Sequence, residues 1–162
     1  MYNYQDVAVK RSMLNRSVLE KTMQEIEILA RLRHRNIVSV YGYCILGEPS
    51  DDVIRLDVIM ELGKGDLSHR VFSEASETDG ISEATLRAAR NPEEYKTRKR
   101  YIYQICKALA FMFTKSVCHG DLKLDNILVS EDGDLMITDF GMAKFANREL
   151  TQTNVEIGNR LQ

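Results

Sequence analysis

The chain has 162 residues, 44% of them hydrophobic and 28% charged, which suffices for one globular domain and shows none of the biases of fibrous or disordered chains. Its 22 Lys and Arg against 24 Asp and Glu leave a formal net charge of -2, so there is no basic excess for nucleic acid or an anionic membrane surface, and any phosphate binding must be local. The longest unbroken apolar run, Ala108 to Phe113, is far short of the roughly 20 residues of a membrane span, and the N-terminus lacks the apolar core of a signal peptide. Cys44, Cys106 and Cys118 are odd in number, widely spaced and set among apolar neighbours; they fit neither a disulfide framework nor a zinc site and read as packing residues in a reducing, intracellular and cytoplasmic setting.

In chain order, Asp6 to Lys10 is a β-branched run ending in a cation, expected as a strand. From Ser12 onward Leu19, Met23, Ile26, Leu29 and Leu32 recur every three or four positions, the mark of an amphipathic helix ending near His34. Ile37 to Ile45 and Val53 to Met60 read as an antiparallel hairpin around turn-forming residues from Gly47 to Asp52. Gly65-Asp66 offers a cap for a short helix through Phe72; Ser73 to Gly80 reads as a surface loop, and a second short helix is expected from Ser82. Asn91-Pro92-Glu93-Glu94 combines a capping side chain, a first-turn proline and two carboxylates at the positive end of the dipole, so a long helix starts there, with Ile102, Ile105, Cys106, Leu109, Met112 and Phe113 along one side. Two short strands, Asn126 to Val129 and Leu135 to Thr138, flank an acidic turn at Glu131 to Asp134.

Chemistry concentrates in Val117-Cys-His-Gly-Asp-Leu-Lys-Leu-Asp-Asn-Ile-Leu128, which puts Asp121, Lys123 and Asn126 on one loop, followed by Asp139-Phe-Gly141. With Val7-Ala-Val-Lys10 upstream, this order resembles the catalytic domain of eukaryotic-type serine/threonine protein kinases. Taken singly, His-x-Asp and Asp-Phe-Gly are weak tripeptides, more often turns than sites; in order and on correctly typed elements they reinforce one another. The resemblance implies an α+β, two-lobed fold that is incomplete. Residues 1–62 would be a partial N-lobe and hinge (strand 3, helix C, strands 4 and 5) and residues 63–162 a partial C-lobe (helices D and E, the catalytic loop and a truncated activation segment).

It also implies roles. Phosphoryl transfer spreads negative charge, so divalent metal, cations and a carboxylate toward the hydroxyl are needed. Asp121 would be the base, Lys123 would contact the transferring phosphate, and Asn126 and Asp139 would hold Mg2+. Lys10 would hold the ATP phosphates and pair with Glu25, Ala8 and Leu128 would sandwich the adenine, Glu61 and Gly63 would meet it from the hinge after Met60, and Asp66 would reach the ribose. Leu29, Val40, His119 and Phe140 would stack as the internal regulatory column, with His119 a packed histidine and not a proton carrier.

Three features depart from the family pattern. Gly120 stands where many members carry an Arg that pairs with an activation-segment phosphate, so phosphorylation of Thr151 or Thr153 is not expected to order the segment through the catalytic loop. Asn159 stands in place of a Thr, and neither a Gly-rich phosphate lid before Asp6 nor an Ala-Pro-Glu motif after Gly141 is found, which would leave apolar surface on the long helix. The function implied is a serine/threonine protein kinase acting with ATP and Mg2+ on a protein hydroxyl, here as a fragment inactive by itself. Against it stand a pseudokinase-like binding or scaffold module and a truncated product without a stable fold.

Overall fold

The computed structural model describes residues 6–48, 51–72 and 91–146. The loop at Ser73 to Gly80, the helix from Ser82, Thr151, Thr153 and Asn159 lie outside the described residues.

Strand β1 (Val7–Leu14) is longer than its apolar run suggests, because Ser12, Met13 and Leu14 stay paired with Leu56, Arg55 and Ile54. The helix therefore starts later than Ser12. Helix α1 (Arg16–Arg31) begins where the Asn15 side chain accepts the Val18 N–H at 3.0 Å and ends at Leu32, whose N–H turns back to the Leu29 carbonyl. Strands β2 (Val40–Leu46) and β3 (Ile54–Glu61) pair antiparallel as expected, with an irregularity between Val40 and Gly42, and β1 joins the other edge to give the order β1-β3-β2. Helix α1 lies on one face of this sheet. Ile26, Leu56 and Val58 are buried between them, with Leu14, Leu19, Met23, Val40 and Met60 packed around.

The second half holds β4 (Gly65–Asp66), α2 (Leu67–Phe72), α3 (Pro92–Thr114), β5 (Val117–Cys118), a 3-10 turn at Leu124–Asn126, β6 (Ile127–Val129), β7 (Leu135–Ile137) and β8 (Lys144–Phe145). These strands form a sheet of order β4-β6-β7 and a separate pair β5-β8. Asn91 caps α3 as its sequence predicts, accepting the Glu93 N–H at 3.0 Å. The buried face of α3 agrees with expectation at Met112 and in part at Ile105, but is otherwise Tyr101, Gln104 and Ala108, while Ile102, Leu109, Phe113 and Cys106 are exposed. One residue around a helix is a rotation of about 100°. Apolar residues on several faces therefore leave the choice of inner face to the neighbouring sheet. All three cysteines are exposed, against the expectation of packing roles. Among the described residues no helix is long and apolar enough to cross a membrane.

The two halves are joined by the link after α1. Ile37, expected in β2, instead bridges Ile137 in parallel; the Val38 N–H donates to the Ile137 carbonyl and the Ile137 N–H to the Asn36 carbonyl, each at 2.9 Å. The Asn36 side-chain amide adds a bond of 2.8 Å to the Leu135 carbonyl. Ile37, Val38, Met112, Ile137 and Phe140 are all at or below 2% exposed, so the core continues across the joint. Truncating Ile37 to Ala removes a buried side chain at this joint and is expected to cost about 2–5 kcal/mol, a large share of the roughly 5–15 kcal/mol of a domain. Urea unfolding of Ile37→Ala against wild type measures it; a loss of a few tenths would contradict the shared core.

Candidate active site

The loop after α3 is shaped by two residues with left-handed backbone. Ser116 (φ 54) ends the helix connection and Gly120 (φ 82) turns the chain between His119 and Asp121. His119 is buried and tilted against Phe140, with ring centroids 4.8 Å apart. Its Nδ1 accepts the Asp121 N–H at 3.3 Å and its Nε2 donates to the Thr138 carbonyl at 2.9 Å, a pair of partners that fixes the tautomer. One imidazole thus ties the loop to the residue preceding Asp139. With Leu29 and Phe140 in one buried cluster and Val40 packed against it, the four residues of the expected internal column fall together.

Asp121, Lys123 and Asn126 converge. Lys123 Nζ lies 2.9 Å from Asp121 Oδ2, and the Asn126 amide nitrogen donates to both the Asp121 carbonyl at 2.8 Å and its Oδ2 at 3.0 Å. Lys123 foremost, together with Asn126, holds the Asp121 carboxyl below its ordinary range, and the same contact raises Lys123. Since the Asn126 carbonyl also accepts the Thr138 N–H at 3.0 Å, the loop holds both the N–H and the carbonyl of Thr138, the residue between β7 and Asp139.

Asp139 itself sits at φ 60, a conformation that costs a non-glycine residue on the order of 1 kcal/mol or more and is held there by the bonds around Thr138. Its Oδ1 meets Lys10 Nζ of β1 at 3.6 Å. Here the structure departs from the expected pairing: Lys10 forms its salt bridge with Asp139, and none joins it to Glu25. Glu25 is nonetheless close. A Cβ placed on Gly141 would lie 3.4 Å from Asp139 Oδ1 and 3.6 Å from Glu25 Oε1, so both carboxylates flank the same glycine. Burial pushes the Glu25 carboxyl up; Lys10 opposes this and Asp139 adds to it.

The remaining sequence candidates line the connection between the halves. Ala8 is opposite Met60 in the β1-β3 register, and the Glu61 N–H is committed to the Ser39 carbonyl at 2.9 Å. Gly63 rests on Leu128, whose Cβ would be 2.8 Å from a Cβ at Gly63, and the Lys64 N–H donates to the Val129 carbonyl at 2.8 Å. Asp66 caps α2: its Oδ1 accepts from Ser68 Oγ at 2.6 Å and the His69 N–H at 2.7 Å, which commits one of its two oxygens. A cavity of about 1200 Å3 opens on another side, lined by Arg35, Tyr41, Glu61, Asp132 and Asp134 among others, and contains none of Lys10, Asp121, Asn126 or Asp139. The latter group, joined through Lys10–Asp139 and Asp121–Asn126 contacts, is the candidate site.

Two participants carried no sequence signal. Thr138 contributes only backbone, and Met142 matters because its carbonyl packs against Gly120: a Cβ there would lie 2.4 Å from the Met142 oxygen. Gly120 therefore admits the segment that follows Asp139, which continues into β8 beside β5.

A strand-borne lysine thus meets the aspartate of an Asp-Phe-Gly turn beside a loop that joins Asp, Lys and Asn. The chain belongs to the protein kinase domain family, whose match covers residues 2–160. The α+β arrangement is that of part of such a domain. Similar curated proteins are the mitogen-activated protein kinase mpkC of Aspergillus oryzae (strain ATCC 42149 / RIB 40), 32% identical over 91% of this chain and 37% of its own length, and CBL-interacting protein kinase 25 of Oryza sativa subsp. japonica, 30% identical over 91% and 26%. The Aurora kinase of Schizosaccharomyces pombe (strain 972 / ATCC 24843) is 34% identical over 87% of this chain and 35% of its own length. The chain thus spans 26–37% of the length of these relatives.

Two expectations follow. Gly120→Ala adds a Cβ against the Met142 carbonyl and a left-handed alanine, which alone costs roughly 1–2 kcal/mol. Amide exchange at Ala146, whose N–H now donates to the Ser116 carbonyl at 2.7 Å, should quicken in this variant; unchanged exchange would contradict the contact. Glu25 has a folded-state pKa above its ordinary 4.5, so its ionisation opposes folding: that penalty is absent below 4.5, grows as pH rises through the folded value and is complete above it. Glu25→Gln should therefore raise the melting temperature of the ligand-free chain at about pH 7, with the gain vanishing toward pH 4.5. A drop at neutral pH would show that the carboxylate stabilises the fold.

Proposed function

We propose that this chain is part of a serine/threonine protein kinase that moves the γ-phosphoryl group of ATP to a protein hydroxyl. The observation that carries the reading is the joining of Asp121, Lys123 and Asn126 by hydrogen bonds of 2.8–3.0 Å beside a loop that delivers Asp139 to Lys10. In this reading residues 1–62 are a partial N-lobe with hinge and residues 63–162 a partial C-lobe.

Each residue has a part in it. Asp121, kept ionised by Lys123 and Asn126, accepts a hydrogen bond from the substrate hydroxyl and takes its proton. Lys123 then has a partner to exchange: as phosphate charge arrives, its ammonium swings from Asp121 toward the transferring group. Lys10, on rigid strand β1, holds the α- and β-phosphates, and Glu25, partly desolvated, draws that ammonium away from Asp139 when nucleotide enters. Ala8 and Leu128 take the two faces of the adenine, Glu61 and Gly63 present the connecting backbone to its edge, and Asp66 meets the ribose through the oxygen not used in capping.

The residues fit Mg2+. Asn126 gives both amide hydrogen bonds to Asp121, which leaves its amide oxygen without a protein partner among the described residues, and Asp139 supplies a carboxylate; hard oxygen donors of this kind, with phosphate oxygens, suit that ion. Mg2+ bound by Asn126 and Asp139 would neutralise phosphate charge. Lys123, two positions after the base, supports serine or threonine as acceptor by the family resemblance.

Thermal unfolding with and without ATP and Mg2+ tests the nucleotide half. Saturating ligand at about 100 times its Kd stabilises by about 2.7 kcal/mol. We expect a clear upward shift, lost in Asp139→Asn and reduced in Lys10→Ala; no shift in the wild type would overturn the reading. Gly120, which removes the phosphate-pairing arginine position, favours a second reading as a binding module: nucleotide-induced stabilisation without phosphate transfer to a serine- and threonine-containing protein by a longer form of the chain would select it.

A further inference from the structure

The cluster of Lys10, Glu25 and Asp139 has two supports: α1 carries Glu25, and β7 runs directly into Asp139. Both are clamped at the same place. Beside the backbone bonds of Asn36 and Val38 to Ile137, Arg35 Nη2 meets Asp134 Oδ2 at 2.5 Å, and Asp134 Oδ1 accepts from Gln104 Nε2 at 2.5 Å. Gln104 Oε1 in turn accepts the Leu135 N–H at 2.9 Å, closing a chain of bonds from the end of α1 through the β6-β7 turn to α3. The His34 ring, stacked on Phe111 of α3 at 5.2 Å, holds the link from its other side, and its Nδ1 accepts the Asn36 N–H at 3.1 Å.

We propose that Arg35 and Asp134 form an interlobe latch that positions Glu25 and Lys10 relative to Asp139, so that Arg35 is a positioning residue for nucleotide binding although it lies outside the site. This rests on the kinase reading above for what the site binds. At 1.5 Å per residue, Glu25 stands about 10–15 Å along the helix from the clamp, so a tilt of about 5° there moves its carboxylate by about 1 Å. Displacements of that size at phosphate-binding groups cost up to about 100-fold. Asp134 is 21% exposed and held in place by Gln104, whereas Arg35 is 72% exposed. An ion pair so exposed on one side adds little to global stability. Its use lies in register: breaking it frees the end of α1 without emptying the core formed by Ile37, Val38 and Ile137. Arg35 and Asp134 also line the 1200 Å3 cavity, so solvent has access to the latch from one side.

The test separates the latch from the nucleotide reading. In the ligand-free chain, amide exchange at Val38 and Ile137 should quicken on the order of 5-fold in Arg35→Ala and in Asp134→Asn. The double variant Arg35→Ala/Asp134→Asn should be no faster than the singles, and Lys96→Ala, which breaks an exposed pair at the far end of α3, should leave both amides unchanged. The Kd for ATP with Mg2+ should rise several-fold in Arg35→Ala while the ligand-free melting temperature moves little. Unchanged exchange in Arg35→Ala, additive effects in the double variant, or faster exchange with an unaltered Kd would each overturn the proposal. A wild-type chain that binds no nucleotide would sink the proposed function, and the exchange measurements alone would then decide whether the latch exists.

Discussion

Backbone groups leaving a helix into a protein interior must find partners, and in this chain the Asn36 carbonyl and the Val38 N–H find theirs on β7, while the Ile37 N–H turns back to the His34 carbonyl. That single docking decides the arrangement of everything else. It removes Ile37 from the strand it was expected to begin, merges the apolar surface under α1 with that of α3, and fixes the first sheet over the loop that carries Asp121. Because the bonds are to main chain and the side chains around them are buried, the joint is stiff, and stiffness there is transmitted along α1 to Glu25 and along β7 to Asp139.

Within the site the charges are balanced in pairs. Lys10 faces Asp139 and Lys123 faces Asp121, with all four side chains roughly half exposed, between 42% and 59%. Such pairs contribute little to folding. In the proposed function their value is that each cation is already paired with a carboxylate at the site, so charge would need only to be re-partnered on binding of nucleotide and Mg2+. The bonds around Thr138 that keep Asp139 in its left-handed conformation and the close approach of Met142 to Gly120 belong to the same picture, since both hold the turn after β7 against the loop.

Helix α3 shows how a stable local element can leave its outer face unexplained by the described residues. Tyr101, Gln104, Ala108 and Met112 meet β7 and the joint, whereas Ile102, Leu109 and Phe113 remain exposed. Apolar residues in that density on one helix are a surface suited to further contacts. Of the four residues expected to show apolar surface on this helix, Ile102 and Leu109 are exposed, whereas Met112 is buried and Ile105 packs against the core around Tyr101.

The amino-acid sequence determined the family and the local elements: the order of Val-Ala-Val-Lys10, Asp121-x-Lys123-x-x-Asn126 and Asp139-Phe-Gly named the family, and Asn91, Asp66 and the turn at Glu131 to Asp134 marked element ends, because caps and turns are set by a side chain and the backbone within a few residues of it. Asn15, of the same kind, was legible in principle but hidden by the apolar run before it. Tertiary structure decided the rest. Which face of α3 turns inward, that Ile37 pairs with Ile137 a hundred residues away, that Lys10 meets Asp139 and not Glu25, and that Met142 fills the space beside Gly120 depend on contacts between distant segments, which no local pattern encodes.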